Sequence, residues 1–245
     1  MPSLRPYHVA IVGSGPSGYF AAASLLRFGS VPESERDVRV DMLEMLPTPW
    51  GLVRSGVAPD HPKIKSISAQ FDKTSADPRF RFFGNVKVGE HVQPSELADR
   101  YDAVIYAVGA QSDRLLGIPG EDLPGSVAAV DFVGWYNAHP HFGEITPDLS
   151  SGRAVVVGNG NVALDVARIL VSDPDMLAAT DIPDHALDSL HDRGVEEDLV
   201  LSKRPTQSFV QPISQVGVIS ATIRQEDRLR VRPRPAGPRG SRCPP

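Results

Sequence analysis

Short apolar runs alternate with helical patterns along the first 110 residues of the chain. Residues 9–12 form an apolar run of the kind found in buried parallel strands, and residues 18–28 form a compact apolar helix. The segment "VRVDMLE" alternates as a second strand that ends at Glu44, and "DAVIYAVGA" predicts a further strand. Between them, "KIKSISAQFDK" and "SELADRY" predict helices, and "RFRFFGNVKVGE" predicts two short strands around Gly84. Strands and helices in this order predict a parallel sheet with helices on its faces.

A second strand, turn and helix begins at residue 153, with "RAVVVGNGNVALDVARIL". The next strand is predicted at "LVLS", residues 199–202. The segment "VGVISATI", residues 216–223, is rich in β-forming residues, but unpatterned polar and proline-rich residues flank it. We therefore expect this segment to pair weakly or not at all.

These patterns predict the fold class and its divisions. We expect an α/β protein with two Rossmann-like dinucleotide-binding units built on parallel sheets, the second unit incomplete, followed by a disordered C-terminal tail. The first unit is predicted over residues 1–108, a connecting segment over 109–152, a partial second unit over 153–205 and a divergent tail over 206–245.

The first glycine motif is Gly13-Ser14-Gly15-Pro16-Ser17-Gly18, placed between a strand and a helix. Its first glycine permits a tight turn, its second lets the backbone approach a pyrophosphate, and its third lets helix and strand pack closely. Glycine-rich turns also occur for packing reasons alone, but the strand-turn-helix context favours nucleotide binding. Glu44 ends the second strand, where an acid accepts hydrogen bonds from ribose hydroxyls, although an exposed carboxylate without a role is the alternative.

The second glycine motif is Gly158-Asn159-Gly160-Asn161-Val162-Ala163, in which alanine replaces the third glycine. The dinucleotide-binding pattern G-x-G-x-x-G/A allows alanine at this position. The strand after this motif ends in Lys203 and Arg204 rather than in an acid. Cations at this position suit the 2′-phosphate of NADP, whereas an isolated solvated pair is the alternative interpretation.

Composition narrows the chemistry that the chain can perform. No apolar run approaches the roughly 18 residues of a membrane-spanning helix, and the first residues lack a secretory-signal pattern, so we expect a cytoplasmic protein without a membrane partner. The single cysteine, Cys243, excludes dithiol redox chemistry. His139 and His141 flank Pro140, a spacing more typical of a polar loop than of a metal site, and no metal is expected.

Charge is distributed unevenly along the chain. The formal net charge is −5, yet the last 18 residues hold six arginines and no acid. Their five prolines and lack of aromatic residues favour disorder over recognition of an acidic partner, and we expect no nucleic-acid partner.

Taken together, these motifs resemble NADPH:ferredoxin reductases of the adrenodoxin reductase type, a group of flavoproteins with two dinucleotide-binding domains. The resemblance rests on "GSGPSGYFAA", "PWGLVRSGVAPDHPKIK", "FFGNVKVGEHV", "VIYAVGAQSDRLLGIPGEDLPG", "FVGWYNAHP" and "GNGNVALDVARIL", and covers residues 7 to about 197. It implies that the first motif binds FAD and the second NADPH. It further implies hydride transfer from NADPH to the flavin, which then reduces a ferredoxin-type iron-sulfur protein in single-electron steps.

The same resemblance implies roles for individual residues. Ser17, Glu44, Leu52 and Val88 would contact FAD, as would Gly109 at the end of the segment beneath the flavin; residues 159–162 would lie along the NADPH pyrophosphate. Lys203 and Arg204 would hold the 2′-phosphate. His61 in "APDHP" matches a histidine close to the flavin ring, and capping of the helix that begins near Pro62 is an equally weighted alternative.

The resemblance ends near residue 198, beyond which only Lys203 and Arg204 match the family. This leaves two functional hypotheses. The first is an FAD-dependent ferredoxin-NADP⁺ reductase, and the second is a non-catalytic nucleotide-binding fragment that results from truncation or a change of reading frame near residue 198.

Overall fold

The computed structural model describes residues 5–30, 36–110, 119–158, 160–195, 197–201 and 217–219. Within these residues, the chain forms two four-stranded sheets, each flanked by helices. The elements of the first unit are β1 (Tyr7–Val12), α1 (Pro16–Phe28), β2 (Val38–Leu43), α2 (Leu52–Ser55), α3 (Pro62–Lys65), α4 (Ser68–Ser75), β3 (Phe80–Phe83), α5 (Pro94–Arg100) and β4 (Ala103–Tyr106).

The first sheet is parallel throughout, with strand order β3-β2-β1-β4. Successive residues of β1 face opposite layers, so that Val9 and Ile11 pack against α1 while Ala10 and Val12 pack towards α5. All four are buried, which explains why this strand is a continuous apolar run rather than an alternating one. The parallel sheet predicted for the first unit is confirmed.

Two carboxylates tie the strands of this sheet to their surroundings. Asp41, which is only 5% exposed within β2, accepts two hydrogen bonds from Arg81 and one from the Tyr101 hydroxyl at 2.8 Å. Asp102 joins the start of β1 to β4, because it accepts hydrogen bonds from the Arg5 guanidinium and from the His8 backbone N–H.

The second unit carries the second glycine motif. Its elements are β5 (Ser126–Ala128), α6 (Ala129–Tyr136), β6 (Arg153–Val157), α7 (Asn161–Val171), α8 (Pro174–Leu177), α9 (Asp184–His191), β7 (Glu197–Leu201) and β8 (Gly217–Ile219). Its core joins buried residues of α6, β6, α7 and α9, with Tyr136, Val156, Ile169 and Leu190 fully inaccessible. Strand β5 belongs to this sheet, although it lies within the connecting segment predicted for residues 109–152. The domain boundaries predicted from the sequence stay a prediction.

The second sheet differs from its prediction in one strand. Its order is β5-β8-β6-β7, where β6 and β7 are parallel but β8 runs antiparallel to both of its neighbours. The expectation that residues 216–223 pair weakly or not at all is therefore wrong for 217–219, and the sheet is mixed rather than purely parallel. The short apolar strand β8 pairs beside β6 and satisfies backbone groups there that would otherwise form an open edge. The predicted disorder of 206–245 concerns, apart from this strand, residues outside the described ranges.

Two local predictions in the first unit also need correction. Only β3 precedes Gly84 as a ladder strand, whereas the predicted strand at Val88 is an isolated bridge to Val92 after a turn with positive φ at Asn85. The segment "KIKSISAQFDK", predicted as one helix, forms two helices, α3 and α4. Ile64 on α3 is 54% exposed, so it is not part of a buried helical face.

The described helices are short. The longest are α1 with thirteen residues and α7 with eleven. Within the described ranges, none has the length and apolar character needed to cross a bilayer.

Candidate functional site

The first glycine turn connects β1 to α1 with almost no room for side chains on its inner side. Gly13 has φ +102°, and a Cβ there would lie 2.4 Å from the Ala107 carbonyl oxygen. A Cβ on Gly18 would lie 2.3 Å from the Gly13 carbonyl oxygen. In contrast, a Cβ on Gly15 would meet nothing within 4 Å. Gly13 and Gly18 are thus needed for packing, while Gly15 borders open space at the N-terminus of α1.

Glu44 lies directly beside this turn. Its Oε2 accepts hydrogen bonds from the Ser14 backbone N–H at 2.9 Å and from the Ser14 hydroxyl at 2.6 Å, and its Oε1 accepts one from the Leu46 N–H at 3.1 Å. The carboxylate is 9% exposed, so the alternative of an exposed strand-end acid is wrong. Because a carboxylate offers about four acceptor positions, one position on Oε1 is left for a further hydroxyl donor.

A proline-rich segment, residues 46–62, closes over the same turn. The Trp50 backbone N–H donates to the Ser14 carbonyl at 3.0 Å, and a Cβ on Gly51 would lie 2.9 Å from the Gly15 Cα. Trp50 has φ +93°, and the Arg54 guanidinium lies 4.4 Å from the centre of its ring. The Trp50 Nε1 is buried and has no hydrogen-bond partner within the described part of the chain. A bound group with an acceptor atom would satisfy this donor.

The other residues assigned to the first site are spread around it. Ser17 is exposed on the first turn of α1, next to the half-buried Pro16. Leu52 begins α2 and is 45% exposed, whereas Val88 packs partly buried against the core that contains Leu97. Gly109 has φ +68° and open space around its Cβ position.

The second glycine turn repeats the geometry of the first. Gly160 caps α7 with φ −79° and ψ 176°, compared with φ −73° and ψ −179° for Gly15 at the cap of α1. A Cβ on Gly160 would also meet nothing within 4 Å. Ala163 is fully buried against the core, which explains how alanine serves in place of the third glycine. Asn161 is exposed and Val162 partly buried, while Asn159, Lys203 and Arg204 lie outside the described residues.

A polar cluster joins the two units. The Arg168 guanidinium on α7 binds both oxygens of Asp60, at 2.5 and 2.8 Å, and also donates to Asp165 at 2.8 Å. The His61 Nε2 lies 3.0 Å from Asp165 Oδ1 and 3.0 Å from Arg168 Nη2. The hydrogen bonds from Arg168 lower the pKa of Asp60, and Asp60 in turn raises the pKa of Arg168. His61 occupies the N-cap position of α3, as the capping alternative expects, but its side chain makes no capping hydrogen bond and contacts Asp165 and Arg168 instead.

A second contact between the units lies one helical turn further along. Lys65 donates to both oxygens of Asp181, at 2.7 and 2.8 Å, and its side chain is only 15% exposed. The Tyr136 hydroxyl is buried. Burial raises the pKa of Tyr136, and the negative charge of Asp165 raises it further. Residues 60–65 therefore fasten the first unit to the second.

The sequence prediction missed Asp60, Asp165 and Arg168. Asp165 and Arg168 interrupt the apolar pattern of α7 at i and i+3, which is a detectable sign of a charged pair on one face. Nothing local to Asp60 identifies its partner on the other unit.

The His139 and His141 rings lie 5.2 Å apart, and in the described ranges no group of three or more metal-binding side chains is found.

Both turns have the features that a dinucleotide pyrophosphate requires. Each presents the N-terminus of a helix of more than ten residues, whose free N–H groups and dipole favour an anion, and each leaves open space above its second glycine. The buried, unpaired Trp50 Nε1 next to the first turn is a further donor without a protein acceptor among the described residues. The residues present therefore fit two dinucleotides.

Comparison with known proteins gives consistent results. Residues 7–173 match the family model described as pyridine nucleotide-disulphide oxidoreductase. The chain is 75% identical over 201 residues to NADPH-ferredoxin reductase FprA of Mycobacterium tuberculosis, which covers 82% of this chain and 44% of that protein. It is 48% identical over 203 residues to the mitochondrial NADPH:adrenodoxin oxidoreductase of Salvelinus fontinalis, covering 83% of this chain and 39% of that protein.

A solved structure of Mycobacterium tuberculosis FprA in complex with NADPH superimposes with a TM-score of 0.78 at 76% identity, over 80% of this chain and 43% of that chain. The chain thus spans less than half the length of these relatives. The resemblance to the adrenodoxin reductase type and the α/β fold with two Rossmann-like units are confirmed.

Proposed function

Because the chain belongs to the pyridine nucleotide-disulphide oxidoreductase family, we propose that it forms part or all of a ferredoxin-NADP⁺ reductase. In this proposal, FAD receives electrons from NADPH and passes them to a ferredoxin-type iron-sulfur protein. The observation that carries it is the pair of glycine turns with matching cap geometry, each open above its second glycine, in a chain similar to reductases of this kind. Dithiol chemistry is not part of the proposal, since residues 7–173 contain no cysteine.

The first turn would hold FAD. Gly13, Gly15 and Gly18 form the backbone cradle, with Ser14, Pro16 and Ser17 between them at the start of α1. The last acceptor position of Glu44 would bind a ribose hydroxyl, and the buried Trp50 Nε1 would find its acceptor. Leu52, Val88 and Gly109 would complete the contacts around the flavin.

The second turn would hold NADPH along residues 158–163. Lys203 and Arg204 would bind the 2′-phosphate, because guanidinium and ammonium groups pair with phosphate whereas an acid would repel it. When bound, the flavin supplies two-electron exchange with nicotinamide and one-electron exchange with an iron-sulfur protein. The protein holds and orients both groups and limits the access of water, and His61 lies where the two units meet.

The cellular location of the chain and its partners are part of the same proposal. We expect a cytoplasmic protein that acts on an iron-sulfur partner and has no nucleic-acid partner. Fractionation of the source cells, with detection of the chain by antibody, would test the location.

The decisive experiment is an anaerobic titration of the purified, FAD-supplemented chain with NADPH and separately with NADH, followed through the flavin absorbance. We expect stoichiometric bound flavin that bleaches with NADPH at much lower concentration than with NADH. In the double variant Lys203→Ser and Arg204→Ser this preference should disappear, while Arg100→Ser, which removes an exposed cation at the end of α5, should keep it. Bound flavin that never bleaches would instead favour the second hypothesis, a nucleotide-binding chain without turnover, and absence of bound flavin would refute the proposal for this chain.

A further inference from the structure

Arg168 uses its planar fork to organise the contact between the two units. Its Nε and Nη2 donate to the two oxygens of Asp60, and its Nη1 donates to Asp165 Oδ1. The remaining hydrogen on Nη2 faces His61 Nε2 at 3.0 Å. Four of the five guanidinium hydrogens therefore form hydrogen bonds, and their acceptors are Asp60, Asp165 and His61 itself.

The His61 Nε2 is placed between a donor and an acceptor at the same distance. Arg168 Nη2 can only donate, and Asp165 Oδ1 can only accept, and each lies 3.0 Å from this one nitrogen. A neutral imidazole carries its proton on one nitrogen only, so Nε2 either accepts from Arg168 or donates to Asp165. The two contacts exclude each other.

Three features favour acceptance from Arg168. The Asp165 oxygen already receives the Arg168 Nη1 hydrogen at 2.8 Å, so its charge is compensated without His61. The Nη2 hydrogen has His61 as its acceptor in a part-buried position, and would lose it if Nε2 were protonated. The rigid fork cannot turn towards another acceptor without breaking its paired bonds to Asp60.

We propose that Arg168 is a positioning residue, which holds neutral His61 in the tautomer protonated on Nδ1, with Nε2 as acceptor. The consequence for electron transfer rests on the proposed function: His61 would present one defined hydrogen-bonding pattern where the two units meet. The tautomer itself is a property of the protein and is independent of turnover.

The test is nitrogen-15 NMR of the histidine rings in the full chain, at a pH well above the ordinary histidine pKa of about 6.5. The variant His61→Gln assigns the His61 signals by their loss. In the wild type we expect Nε2 to resonate as an unprotonated nitrogen and Nδ1 as a protonated one. In Arg168→Gln we expect the two signals to exchange character, because Asp165 is then the strongest partner of Nε2 and accepts a hydrogen bond from the Nε2–H.

Matched variants distinguish a positioning role of Arg168 towards His61 from a general loss of structure. Arg193→Gln removes another partly buried guanidinium of the second unit, which donates to the backbone carbonyls of Leu190 and Ser172, and should leave the His61 signals unchanged. Arg168→Lys keeps the charge without the fork and should restore only part of the wild-type tautomer. Asp60→Asn, which loosens the fork and keeps Arg168, should shift the His61 signals in the same direction as Arg168→Gln.

A wild-type spectrum with the proton on Nε2 would overturn the proposal, even if Arg168→Gln proved unable to fold. An unchanged tautomer in folded Arg168→Gln would overturn it as well. If the tautomer and its dependence on Arg168 are found but NADPH does not bleach the flavin, the positioning role stands and the proposed reductase activity fails.

Discussion

Replacing Gly15 with alanine separates cofactor binding from folding. Gly15 has φ −73° and ψ −179°, a conformation that alanine adopts without strain, and its Cβ would meet nothing within 4 Å. Alanine stabilises by about 0.4–1 kcal/mol because it lowers the entropy of the unfolded chain, but it is poorer than glycine at a helix cap by a similar amount, so these effects nearly cancel. The free energy of unfolding of the flavin-free variant should therefore stay within about 1 kcal/mol of the wild type.

Flavin binding should respond very differently. The new methyl group would occupy the space through which a pyrophosphate reaches the N–H groups of α1, and would displace at least one charge-assisted hydrogen bond. Such a bond contributes about 1.5–3 kcal/mol, which corresponds to a Kd for FAD roughly 10 to 150 times higher. The Kd would be measured by fluorescence titration of flavin-free protein, and unfolding by urea with circular dichroism.

The matched control is Gly18→Ala, whose Cβ would lie 2.3 Å from the Gly13 carbonyl oxygen. Because a backbone atom must move, this variant should lose about 1–3 kcal/mol of stability even without flavin. A Gly15→Ala variant that binds FAD with the wild-type Kd would refute the placement of the pyrophosphate. A Gly15→Ala variant that unfolds as readily as Gly18→Ala would refute the open space above Gly15.

Four further predictions concern the second turn, the first sheet and one helix cap. Gly160→Ala should weaken binding of NADPH about tenfold or more while FAD binds normally, and equal weakening of both would contradict two separate sites. Tyr101→Phe should cost about 1 kcal/mol in urea unfolding. Because burial and Asp41 raise the pKa of Tyr101 to about 12, the variant should lose a tyrosine that ionises late in an absorbance titration, and loss of one that ionises near pH 10 would count against that hydrogen bond. Hydrogen bonds from Arg5 hold the pKa of Asp102 at about 2, below its unfolded value of 3.8, so its contribution to stability is fully present above about pH 4 and is lost as pH falls towards 2. The difference between the urea midpoints of Asp102→Asn and wild type should therefore be smaller at pH 3 than at pH 6 and shrink further towards pH 2, and a constant difference would contradict this. Asp173→Ala removes the side-chain acceptor for the Asp175 N–H at the start of α8 and should cost about 1 kcal/mol, with no change expected in FAD binding; a shift in FAD affinity would show that α8 affects the first site.

The amino-acid sequence by itself determined the local elements and both glycine turns. Apolar runs bounded by glycine specify β1, α1, β6 and α7, because the periods of strand and helix and the conformational freedom of glycine are properties of neighbouring residues. The same local patterns misplaced a strand at Val88 and continued one helix through residues 63–73, since a period indicates an element but not where tertiary contacts end it.

Only the tertiary structure decided which residues that are distant in the chain contact each other. Ser14 and Leu46 share the Glu44 carboxylate, and strand 217–219 inserts beside β6. His61 meets Arg168 although 107 positions separate them in the chain. Such contacts depend on how two packed units face each other, and a partner at that sequence distance leaves no periodic trace in the residues around it. The physical reason is that periodicity reports which face of an element is buried, whereas ion pairs between units are set by the geometry of the completed sheets.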